Sequence, residues 1–121
     1  MDLHRAKSLI KASEDAIKSV GELSMKNYNF STIIRELYEA LRQCCESIGY
    51  TKGYKFVSHE AIIHFLKEVL NEERLSLSFD YYRKLRVGVN YYGKDISKET
   101  VEKALKEVPL MVSRLKEMVN I

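Results

Sequence analysis

The sequence predicts an all-α protein: an antiparallel up-down helical bundle of four long helices and one shorter one, forming a single domain over residues 1–121. Three observations lead there. Apolar residues recur at three- and four-residue steps along most of the chain, the period of an amphipathic helix. Proline occurs once and glycine five times, too rarely for the many tight turns of an all-β fold. Hydrophobic residues make up 45% and charged residues 31%, a balance that can bury a core and keep a solvated surface.

The first helix is expected from about Leu3 to Val20, with Leu3, Ala6, Ile10, Ser13, Ile17 and Val20 on one face and Gly21 at its end. Asn27, Asn29 and Ser31 form a polar junction that offers caps to the second helix. That helix has the cleanest period, because Phe30, Ile33, Ile34, Leu37, Leu41, Cys44, Cys45 and Ile48 fall within an arc of about 120°. Arg35, Glu39, Arg42 and Glu46 lie on the opposite, solvated side at ion-pair spacing. Gly49 stands where a C-terminal cap is wanted.

An aromatic connection, residues 50–57, leads to Ser58, an N-cap with Glu60 in the following turn. The third helix carries Ile62, Ile63, Leu66, Val69 and Leu70 on its apolar face, with His59 on that face and His64 off it. Residues 71–78 read as a break, and the fourth helix follows with Gly93 as its cap. Ser97 starts the fifth helix. Its stripe runs through Val101, Ala104, Leu105, Val108, Met111, Val112 and Leu115, and Pro109 predicts a kink because it lacks an N–H for the carbonyl of Leu105.

A net charge of +3 permits a local anionic partner without the strong basic balance of most nucleic-acid-binding domains. No apolar run approaches the ~18 residues of a membrane span, and Met1–Lys7 opens a charged helix, not a secretory signal. Cys44 and Cys45 are adjacent, which gives neither a disulfide framework nor a zinc spacing. The three histidines lack helical i, i+4 pairing, so no metal and no cofactor are expected. The expected location is the cytoplasm, away from membranes.

The fourth helix carries the most informative stretch, Phe79 to Gly93, with four of the eight tyrosines. Gly88 alone among the glycines falls inside a helix, where it costs roughly 1 kcal/mol relative to alanine. Such a site favours close approach of another helix or a ligand. Phe79, Tyr82, Leu85 and Val89 define the buried face, and Arg86 projects only about 60° from its centre, with Asn90 stacked one turn on. A guanidinium at a core margin needs an acceptor, either a carboxylate of the bundle or an anion such as phosphate. Arg83 and Lys84 read as solvated surface.

The run Arg86-Val87-Gly88-Val89-Asn90-Tyr91-Tyr92-Gly93, on the fourth helix of a small bundle, resembles the signature of HEPN domains. The second-helix run Tyr38 to Cys45 and the Ser58-His59-Glu60 start of the third helix are similar to that superfamily as well. The resemblance implies a homodimer through the motif-bearing helices, with two arginines around a shared cleft. HEPN ribonucleases follow the arginine, after four to six residues, with a histidine that assists metal-independent attack by the RNA 2′-hydroxyl. Here Tyr91, Tyr92 and Gly93 occupy those positions, and a phenol with a pKa near 10 is a poor base at neutral pH. Val87 also departs from the polar residue, commonly asparagine, that follows the arginine in many members.

A variant of the pattern places tyrosine where Tyr92 stands. Such proteins resemble components of toxin–antitoxin pairs, in which a minimal nucleotidyltransferase adenylylates the tyrosine. The resemblance therefore implies that Arg86, Asn90 and Arg83 bind a nucleotide or RNA phosphate. It makes Arg86 and Tyr92 the catalytic candidates, and Tyr92 the modification acceptor with Tyr91 its competitor. Two other readings stand beside this one. One is a metal-independent endoribonuclease, with Arg86 as phosphate clamp and Tyr92 or His59 assisting. The other is a non-catalytic, partner-binding bundle in which Arg86 pairs internally, with Glu36 as a candidate partner.

Overall fold

The computed structural model describes residues 2–92 and 95–119; the side chains of Asn90, Tyr91 and Tyr92 lie outside the described residues, as does the expected cap Gly93. All regular structure among the described residues is helical. The elements are α1 (Leu3–Gly21), α2 (Asn27–Thr51), α3 (His59–His64, continued by a π-helical segment Phe65–Val69), α4 (Glu73–Tyr92) and α5 (Lys98–Glu117). They form a helical bundle in which α2 touches α1, α4 and α5. No helix among the described residues is long and apolar enough to cross a membrane.

The centrality of α2 follows from its sequence. Beyond the apolar arc, Tyr38, Ala40 and Ser47 are buried too, so the helix is covered on more than one side. Ala6 and Ala40 are both 0% exposed, and small side chains at this contact let the α1 and α2 backbones approach closely. Two hydroxyls exploit the approach: Ser13 Oγ donates to the Ala40 carbonyl at 2.8 Å and Ser47 Oγ to the Ala6 carbonyl at 2.7 Å. As residue numbers rise along α1 the partners fall along α2, so this pair runs antiparallel.

Three helix starts follow from capping chemistry. Asp2, Ser58 and Ser97 each accept a backbone N–H three residues on, at 3.0–3.1 Å. The start of α2 does not. It begins at Asn27 after Lys26, which makes no side-chain cap, and Asn29 Nδ2 instead donates back to the Ser24 carbonyl at 2.9 Å.

Gly49 is no C-terminal cap either, since α2 continues to Thr51. The Phe56 ring lies across it, so that a Cβ at this position would stand 2.6 Å from Phe56 Cε2. The Gly49 carbonyl also accepts the Tyr54 N–H at 2.7 Å, which turns the connection back over the helix. The expected break at 71–78 shrinks to a sharp turn. Asn71 adopts φ 55, and α4 starts at Glu73 with Leu75 and Ser76 already buried. A single left-handed residue makes this turn, and asparagine tolerates that conformation better than most. Pro109 sits inside α5, which continues past it to Glu117.

The close α1–α2 contact yields a stability prediction. Ser47→Ala should cost about 1 kcal/mol through the lost buried hydrogen bond. Ala6→Leu should cost about 1–3 kcal/mol by forcing the helices apart. Urea unfolding followed by circular dichroism checks both, and an unchanged midpoint for Ala6→Leu would contradict the packing described.

Candidate functional site

Three helices meet at Tyr38. The residue stands on α2 among Ile34, Leu37 and Leu41, and packing against α4 leaves it 1% exposed. Its ring lies 5.3 Å from that of Phe79. Its hydroxyl bonds to His59 Nδ1 in the first turn of α3, and no other partner for that hydroxyl exists among the described residues. The Arg86 guanidinium lies over the Tyr38 ring, 5.6 Å from the centroid, in cation–π contact. The structure thus brings Arg86 and His59 to two sides of one aromatic side chain.

Two more arginines flank this centre, both only part-exposed. Arg83, expected at the solvated surface, has a side chain 23% exposed and bonds Asp80 Oδ1 at 3.3 Å. Asp80 also holds Lys84 at 2.9 Å, and these two cations draw its carboxyl below the ordinary range. Arg42, likewise placed on the solvated side of α2 by its wheel position, is 28% exposed. It pairs with Glu39 and, at 2.7 Å, with Glu46. For Arg42 the cause is tertiary: Phe56, Val57, Ser58 and His59, from the connection after α2 and the start of α3, stand beside it, which a helical wheel of α2 alone cannot show.

Arg86 differs from its neighbours. It is half-buried, and among the described residues no carboxylate lies within ion-pair distance of it. The local sequence explains this, because its helical neighbours three and four residues away are Tyr82, Arg83, Val89 and Asn90, none of them acidic. Glu36, the candidate internal partner, is exposed on α2 and makes no bond to it.

The electrostatics follow from the packing. Burial, then the positive charges of Arg83 and Arg86, hold His59 below the usual imidazole value, with Arg42 adding to the effect and Glu60 opposing it. His59 is therefore neutral at pH 7. Burial pushes the Tyr38 phenol well above its ordinary value, an effect that Arg86 only partly offsets, so it keeps its proton. Beside His59 opens a cleft of about 250 Å³ lined by Arg42, Glu46, Phe56, Val57, Ser58, His59 and Ile62.

The tyrosines of α4 divide. Tyr82 is buried and donates to Glu107 Oε2 at 2.8 Å, tying α4 to α5. Tyr81 is 45% exposed, with the Lys103 ammonium 5.9 Å from its ring centroid. The candidate groups on Asn90, Tyr91 and Tyr92 lie outside the described residues. Gly88 is buried but serves a different space, a second cleft of about 230 Å³ that it lines with Tyr81, Leu85 and Ile96. Two residues along a helix is a rotation of about 200°, so Gly88 opens away from Arg86.

Sequence reasoning missed Tyr38 and Arg42. A signal for Tyr38 was present: a phenol inside an apolar helix arc needs a partner for its hydroxyl, and a histidine stood at the next helix start. Among the described residues no three His, Cys, Asp or Glu side chains converge as a metal site. Compared with family models and with curated proteins, the sequence matches none of them.

The lowered His59 pKa carries a pH prediction. Native His59 takes up its proton at a lower pH than the unfolded imidazole does. Its contribution to stability is therefore complete above about pH 6.5 and is lost as the pH falls through the native value. Wild type should accordingly lose more stability than His59→Gln between about pH 7.5 and about pH 5.5, measured by thermal melting. Parallel losses in the two proteins would contradict this.

Proposed function

We propose that this protein binds a phosphate of a nucleotide or RNA at Arg86, as a HEPN-type up-down bundle. In this reading it is a cytoplasmic homodimer working with a minimal nucleotidyltransferase as a toxin–antitoxin-type pair. The observation that carries the binding step is Arg86 itself, half-buried on the Tyr38 ring without a carboxylate among the described residues. A partly desolvated cation without a counter-ion is costly, and an oxyanion removes that cost while matching the guanidinium fork. Arg83 and Lys84 share the single carboxylate of Asp80, so the α4 surface beside Arg86 keeps an excess of positive charge.

The resemblance in the α4 motif supports the remaining parts. The Arg86-to-Tyr92 spacing makes Tyr92 the adenylylation acceptor and Tyr91 its competitor, and Asn90 stands one turn beyond Arg86 as a further ligand contact. A second reading, metal-independent ribonuclease activity, is favoured by one observation: a neutral histidine, His59, shares the Tyr38 side chain with Arg86.

Binding is tested by fluorescence anisotropy with a labelled single-stranded oligoribonucleotide, and by competition with AMP. Arg86→Ala should weaken binding about 10- to 100-fold, the equivalent of one charge-assisted hydrogen bond of about 1.5–3 kcal/mol. Its stability should fall only by the lost cation–π contact, about 0.5–2 kcal/mol. Unchanged affinity in Arg86→Ala removes the assignment.

Co-expression with a candidate nucleotidyltransferase should add an adenylyl mass that Tyr92→Phe lacks. Incubation with RNA in chelator tests the ribonuclease reading, which requires cleavage that Arg86→Ala loses.

A further inference from the structure

A phenol buried to 1% exposure must place its proton on an acceptor, and the only one that Tyr38 meets among the described residues is His59 Nδ1. The reverse arrangement, with Nδ1–H donating to the phenol oxygen, would strand the phenol proton in the core at a cost of about 1–3 kcal/mol. Nδ1 is therefore the bare nitrogen of a neutral ring, and the proton sits on Nε2. The two ring nitrogens point in widely divergent directions. Nδ1 is taken up by Tyr38, and the part-buried His59 ring lines the cleft beside Arg42, which leaves Nε2 as its free nitrogen among the described residues. Among the described residues Nε2 has no hydrogen-bond partner.

We infer that His59 is a second ligand-binding group of the Arg86 site, donating Nε2–H to an oxyanion, and that Tyr38 is the positioning residue that fixes this tautomer while seating Arg86 on its ring. The inference rests on the reading that Arg86 binds phosphate. It assigns His59 a role opposite to that of a general base, because the nitrogen able to accept a proton is occupied by Tyr38. The low imidazole pKa agrees, since the ring needs no positive charge to donate. One side chain thereby couples two ligand contacts, through its hydroxyl on one side and its π face on the other.

The test combines a spectrum with binding. Two-bond proton–nitrogen correlation NMR of the histidine rings should show His59 protonated at Nε2 and bare at Nδ1. Tyr38→Phe keeps the ring under Arg86 and removes the hydroxyl; it should give mixed tautomers and about 2- to 5-fold weaker binding of the labelled oligoribonucleotide. His59→Ala should bind about 3- to 10-fold more weakly, and His59→Gln, whose amide N–H stands near the position of Nε2–H, should recover most of that loss.

A dominant Nδ1–H form in wild type overturns the inference. So does wild-type affinity in His59→Ala when Arg86→Ala has lost binding. If wild type itself does not bind the oligoribonucleotide or AMP, the phosphate reading fails and the donor role fails with it. If binding depends on Arg86 but not on His59, only the inference fails.

Discussion

Burying Tyr38 obliges three helices to cooperate. The ring sits on α2, its hydroxyl is satisfied among the described residues by the first residue of α3, and an arginine from α4 lies over its π face. None of these groups is comfortable alone. The phenol needs an acceptor, the imidazole is held neutral among cations, and the guanidinium is partly desolvated without a carboxylate among the described residues. Together they satisfy one another except at two points, Arg86 and His59 Nε2. Among the described residues neither of these groups meets a hydrogen-bond acceptor.

The surrounding charges show why the site is localised. Arg42 and Arg83 both lie close enough to depress the His59 pKa, yet each is bound by carboxylates one turn away on its own helix. Helical spacing alone explains the difference, since acids stand three or four residues from Arg42 and Arg83 and none does from Arg86. Among the described residues, two arginines are therefore already engaged by carboxylates and Arg86 is not. The nearby cleft supplies shape more than charge, because Phe56, Val57 and Ile62 line it beside the Arg42–Glu46 pair.

Phe56 links this site to the backbone of α2. Glycine at 49 lets the ring lie directly on the helix, and the Tyr54–Gly49 hydrogen bond turns the chain so that Ser58 and His59 arrive beside Tyr38. The same glycine looks like a helix stop in the sequence, because a glycine near the end of an apolar stripe is ordinarily a cap. Which use prevails depends on the aromatic side chain seven residues on, a contact with no local periodicity to reveal it. The early start of α4 has a comparable origin, since one left-handed asparagine replaces a long break.

The amino-acid sequence by itself determined the helical class, the order of the five helices and nearly all of the core, because amphipathic periodicity is a local property written into each segment. It also determined that Arg86 lies at a core margin, since that follows from its angle on one helix. Tertiary structure decided what surrounds it: that Tyr38 seats the arginine, that His59 joins the cluster, that Arg83 and Arg42 are half-covered and that Gly88 opens elsewhere. These facts depend on how helices distant in sequence pack against each other, and a wheel drawn for one helix holds no information about its neighbours.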